Sequence, residues 1–182
     1  MAFTATNEPT TYGAIGASGN DSWFDGKVYS YAVSSAVTIA KGDFVKLASS
    51  TTNTITRCSS SADGASFIGV ALGPLDNSDG TTASDTKVGV LREGLAMVDI
   101  LVASSSGTQK AVVYCDSILY LADAETGTYN TCTDTSLEGQ AMTATDNGTA
   151  VGKSIDYAPV PTASQLYKGR VYINTLTNVP FQ

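Results

Sequence analysis

Histidine is absent from all 182 residues. That removes the commonest general base, proton shuttle and imidazole ligand together, so neither a Ser–His nor a Cys–His nucleophile can be built. Cationic side chains are scarce: 10 Lys and Arg against 17 Asp and Glu leave a net charge of −7 and a pI near 4.3. Such a surface repels phosphate, and its few cations are scattered, so neither nucleic acid nor a membrane surface is expected as a partner. The three cysteines, Cys58, Cys115 and Cys132, form an odd set with no CxxC pair. They argue against a disulfide framework and against zinc, and are expected as small buried groups. No apolar run reaches the roughly 18 residues of a membrane-spanning helix. The opening Met1-Ala2-Phe3-Thr4-Ala5-Thr6 has neither a basic nor an apolar leader region, so synthesis in a cytoplasm is expected. Nowhere is there a convincing amphipathic helix; residues 137–143 are the best short candidate.

What is present is β-forming sequence with turn punctuation. Hydrophobic residues make up 42% and charged residues only 15%, against about 25% in ordinary globular chains, and Ser, Thr and Gly fill the difference. Val28, Ser30 and Ala32 alternate with Tyr29, Tyr31 and Val33, as in a half-buried strand. A turn at Ala40-Lys41-Gly42-Asp43 leads into a strand from Phe44. Further strands are read at 54–57, 67–72, 117–122, 128–132 and 170–174. Residues 87–92 and 95–102 read as a hairpin across Glu93-Gly94. Residues 141–145 and 149–154 read as another across Asp146-Asn147-Gly148, since Asn-Gly accepts positive φ at both turn positions. Short strands with closely spaced turns predict a sandwich or small barrel.

Residues 1–26 differ. They carry Pro9, Gly13, Gly16, Gly19 and Gly26 among small polar residues, without periodicity, and read as an extended N-terminal arm. Tyr12, Trp23 and Phe24 punctuate it. Burying aromatic side chains of this size is worth roughly 2–3 kcal/mol each, so these three are the candidate contacts with a docking partner or a sister subunit.

The second half also rewrites the first. Gly42-Asp43-Phe44-Val45 precedes Ile68-Gly69-Val70-Ala71 and Val88-Gly89-Val90; Cys115-Asp116-Ser117-Ile118 precedes Val151-Gly152-Lys153-Ser154 and Val171-Tyr172-Ile173. Gly69 to Val88 is 19 positions (88 − 69), and Gly152 to Val171 is also 19 (171 − 152). The expected fold is therefore all-β: small β-barrel or β-sandwich units in a tandem pseudo-repeat, with an arm at 1–26 and a β domain at 27–182 whose halves cover about 27–102 and 103–182.

Chemical motifs are weak. Gly13-Ala14-Ile15-Gly16-Ala17-Ser18-Gly19 follows no predicted strand and lacks the Lys-Ser/Thr of a phosphate loop. Asp76-Asn77-Ser78-Asp79-Gly80 resembles a calcium loop, but Lys87 stands where the bidentate Glu belongs. Most acids sit in turns, among them Asp76, Asp79, Asp123, Asp134 and Asp146, where they usually bond their own backbone. Asn20-Asp21-Ser22 and Asn147-Gly148-Thr149 match a glycosylation sequon without a leader to give it meaning. No catalytic residue, metal or cofactor is expected, and an enzyme is disfavoured.

With the tandem pattern laid out, the chain resembles the head-decoration, or capsid-cement, proteins of tailed bacteriophages. Gly42-Asp43-Phe44-Val45, Ile68-Gly69-Val70-Ala71 and Gly89-Val90-Leu91, followed by Glu93-Gly94, carry the likeness over residues 27–102, and 111–175 follow more loosely. Cys115 stands where Gly is expected, and Lys153-Ser154 replaces Val-Ala. The resemblance implies a non-catalytic structural protein at the virion's capsid surface, bound to the major capsid protein as a homo-oligomer, a trimer or a dimer, and reinforcing the shell. The alternative is a carbohydrate- or receptor-binding β module of a phage tail or fibre, carried by Tyr29, Tyr31, Tyr129, Tyr157, Tyr167 and Tyr172.

Overall fold

The computed structural model describes residues 9–15, 22–49, 54–80, 86–102, 116–122, 139–146, 148–156 and 165–176. They form an all-β chain: β1 (Pro9–Ile15), β2 (Ser22–Val33), β3 (Val37–Ile39), β4 (Phe44–Ser49), β5 (Thr54–Arg57), a 3-10 turn (Ser61–Ser66), β6 (Phe67–Ala71), β7 (Leu75–Asn77), β8 (Lys87–Val102), β9 (Ile118–Leu121), β10 (Met142–Thr143), β11 (Ala150–Ser154) and β12 (Gln165–Asn174). Two compact units result. The first comprises Met1–Cys58, Ser66–Ala96 and Ile173–Thr177; the second comprises Ser59–Ala65, Met97–Tyr172 and Asn178–Gln182. The division falls inside β8.

In the first unit, β2 pairs with β5 in parallel, and β5–β4, β4–β6, β6–β8 and β8–β2 pair antiparallel. The succession returns to its starting strand, so the five strands close on themselves, which removes open sheet edges. Val33, Ile39, Val45, Ile55, Ile68, Ala71, Val88 and Val90 make its core, with Tyr31, Val37, Leu47 and Leu75 packed against it. β6 is buried at every position, as its unbroken run Phe-Ile-Gly-Val-Ala requires. Phe67 meets Phe44 edge to face at 5.9 Å between ring centroids. A separate two-stranded pairing of β3 with β7 ends at Asn77, which is fully buried. Its amide nitrogen donates to the carbonyls of Val33 and Ser34, satisfying groups that burial would otherwise leave costly.

In the second unit, β8 pairs with β10 in parallel, and β10–β9, β9–β11 and β11–β12 pair antiparallel. β12 in turn pairs with β8. Buried Val98, Ile100, Leu119, Leu121, Met142, Val151 and Val171 line it. As in the first unit, one parallel pair is followed by three antiparallel ones. Val45 faces Gly69 and Lys46 faces Phe67 across a bulge; Leu119 faces Gly152 and Tyr120 faces Ala150 across another. Gly69 and Gly152 thus each lie beside a bulge.

Two local expectations are corrected. Glu93-Gly94 is not a hairpin turn: β8 runs straight through it, with Gly94 at φ +137° opposite Gly26 of β2. Positive φ served a position within a strand rather than a reversal. Nor do the segments flanking Asn147-Gly148 pair with each other; β10 and β11 both pair with β9. At the start of β4, Gly42 donates to the Ala71 carbonyl (2.8 Å), and before β9 Asp116 donates to the Ser154 carbonyl (2.8 Å). Both have left-handed backbones, φ +90° and +68°. Asp is among the few residues that tolerate this region. Ala71 faces Val90, and Ser154 faces Val171.

The region read as a featureless arm contains strand: β1 is hydrogen-bonded to β2, and β2 crosses residue 26 without a break. Residues 1–8 and 16–21 lie outside the described residues, as do 128–132, 137–138, Cys115 and Cys132; the rest of the 137–143 helix candidate is a turn followed by β10, not a helix. Cys58 is buried.

Candidate functional site

Tyr12 and Phe24 are register partners across β1 and β2, and Phe24 is in turn the partner of Ala96 on β8. The three positions form one row across adjacent strands. Trp23 is the neighbouring position on β2. The candidate contact residues are thus brought to one pair of adjacent strands.

The tyrosines proposed for glycan binding separate. Tyr29 and Tyr31 both lie on β2, half-buried. The Arg92 guanidinium sits 5.9 Å from the Tyr29 ring centroid and 6.0 Å from that of Tyr31, within cation–π range. It donates to the Tyr31 hydroxyl at 2.8 Å, to Thr175 Oγ1 at 3.1 Å and to the Thr175 carbonyl at 2.6 Å. Thr175 Oγ1 donates onward to the Ile68 carbonyl at 2.7 Å. Arg92 is therefore a clasp that fastens the segment after β12 within the first unit. Tyr172 on β12 is the register partner of Lys153. Tyr129 and Tyr157 fall outside the described residues, as does the Tyr167 side chain.

The acids are engaged locally. Asp43 is buried at the head of β4, where its carboxylate accepts the Ala40 amide at 2.7 Å and pairs with Arg57 at 2.8 Å. Burial pushes its pKa up, outweighing the Ala40 bond and the Arg57 charge. Asp76 accepts from the Ser78 amide at 2.9 Å and from Thr38 Oγ1 at 2.8 Å, and the bonds from Ser78 hold its carboxyl below the usual range. Asp146 accepts from the Gly148 amide. In the second unit Arg170 grips Asp156 with its side chain, at 2.6 and 3.0 Å, and its backbone amide, at 2.8 Å. The side-chain bond from Arg170 leads in lowering the Asp156 pKa. Burial and the Asp146 charge raise the Tyr120 phenol. Among the described residues there is no group of three or more Cys, Asp or Glu that could hold a metal ion.

Arg92–Thr175 and Asp156–Arg170 were not legible in the sequence. Their partners lie 83 and 14 residues apart, beyond any local pairing rule.

The arrangement includes a β1–β2 pair carrying three aromatic positions, and among the described acids Asp43, Asp76, Asp146 and Asp156 each accept a backbone amide. No known protein family, no curated protein and no solved structure matches this chain.

Proposed function

We propose that this chain is a structural virion protein that binds the outer surface of a phage capsid as a homo-oligomer and stabilises the shell, without a catalytic site. The observation that supports this most is where the three motif segments meet. Gly42-Asp43, Ile68-Gly69-Val70-Ala71 and Gly89-Val90-Leu91 are dispersed in sequence yet are direct hydrogen-bonded neighbours: Ala71 donates to the Asp43 carbonyl at 2.8 Å, Leu72 donates to Gly89 at 2.9 Å, and Val70 faces Leu91. Residues that resemble one family at scattered places also form one local structure, as a shared fold demands. The matching succession of pairings in the two units favours reading them as a tandem pseudo-repeat of one module. A modest contact repeated over a lattice gains strength through effective concentration, so no deep pocket is required. The β1–β2 hairpin, with Tyr12, Trp23 and Phe24, is the surface we assign to docking.

The test is to mix purified full-length protein with expanded and unexpanded shells of the cognate phage and measure bound stoichiometry. Saturable binding to shells, weakened by Trp23→Ala, is the expected result. Binding to isolated glycans, with none to shells, would overturn it in favour of a carbohydrate-binding tail module. That reading is less well supported, because Arg92 already engages both Tyr29 and Tyr31.

A further inference from the structure

Every ring strand of the first unit has hydrogen-bonded neighbours on both sides; β1 is bonded only to β2. Among the described strands of that sheet, β1 alone therefore presents a free row of backbone donors and acceptors. Open edges are usually guarded by charged side chains, above all lysine. β1, Pro9-Thr10-Thr11-Tyr12-Gly13-Ala14-Ile15, has no Lys, Arg, Asp or Glu. Among the described residues, its protections are Pro9 at one end and a register shift between Tyr12 and Ile15.

We propose that the outer edge of β1 pairs antiparallel with β1 of a second copy of this chain, across a twofold axis near Tyr12. Two observations favour a second copy as the occupant. An antiparallel pair of identical strands is self-complementary, so one surface supplies both halves of the contact. The chain carries a net charge of −7, so two copies repel wherever acidic surfaces meet, and this edge brings together segments with no ionised side chain. Main-chain bonds supply the affinity, as in other strand additions. The inference rests on the proposed function only for the oligomer's purpose; the pairing is decided by mass alone.

The experiment measures the solution mass of the full chain by light scattering at micromolar concentration, alongside Tyr12→Lys and Tyr12→Glu. Near the twofold axis each substitution sets like charges opposite each other, whereas an equimolar mixture sets Lys against Glu. The parent is expected at twice the chain mass, each variant alone at the single-chain mass, and the mixture again at twice. A parent that is monomeric or trimeric, variants that stay dimeric, or a mixture that stays monomeric would overturn the pairing. Circular dichroism of each variant accompanies the masses, and the mixture guards against a trivial loss of fold, because an unfolded variant could not be rescued by its counterpart. A dimer that fails to bind shells would remove the proposed function and leave this inference standing.

Discussion

Replacing Gly69 with alanine probes the bulge at the centre of the first unit. Gly69 has φ +147°, and an added Cβ would fall on the Leu91 carbonyl oxygen and lie 2.9 Å from both Leu91 C and Val90 Cγ1. Two of these three atoms are backbone of the neighbouring strand β8, which cannot swing aside. The left-handed backbone costs an L-residue about 1–2 kcal/mol, and overpacking a closed core costs about 1–3 kcal/mol more. The expected loss is about 2–5 kcal/mol, a large share of the 5–15 kcal/mol typical of a folded domain. Gly152 supplies the control, since it too lies beside a register shift, in the second unit. Its backbone is not left-handed, and its added Cβ would meet chiefly side chains, Val171 Cγ1 at 2.6 Å and Met142 Sδ at 3.3 Å. Side chains yield more readily, so Gly152→Ala should cost about 1–3 kcal/mol. Urea unfolding of the parent and both variants, followed by intrinsic fluorescence and circular dichroism, measures the two losses. A Gly69→Ala protein as stable as the parent, or one less perturbed than Gly152→Ala, would refute the bulge geometry.

Two further outcomes are expected. Arg92→Lys retains the charge but not the planar fork that grips Thr175 and Tyr31; it should cost about 1–2 kcal/mol and speed amide exchange at Ile173–Leu176, and unchanged exchange there would count against the clasp. Asp156 has its pKa lowered from 3.8 by Arg170, so its contribution is fully present above that value and is lost as pH falls through the folded-state pKa. Asp156→Asn should therefore melt below the parent at neutral pH, with the gap closing on acidification, and a gap that widens in acid would reverse the assigned sign.

How far the sequence reached can be judged strand by strand. β4 and β6 were legible because each is a run of β-branched and aromatic residues bounded by punctuation, Gly42-Asp43 before one and Gly73-Pro74 after the other. The turn before β4 was legible because Gly takes positive φ without strain and Asp can bond the turn's own backbone, as Asp43 does with Ala40. Glu93-Gly94 misled for the same reason. A local signal for positive φ does not say whether the chain reverses there or runs on within one strand, as β8 does.

The absence of histidine, the negative charge and the strand periodicity belong to the sequence by itself, because each is a local or additive property of the residues. Which strands become neighbours was decided by tertiary structure. β8 is held straight by β2 and β6 along its first part and pairs with β10 farther on. Arg92 finds Thr175, and Asp156 finds Arg170, only after the strands have closed. Strand register is likewise tertiary, since a two-residue slip leaves the hydrophobic pattern unchanged and only hydrogen bonds across the ladder distinguish one alignment from the other.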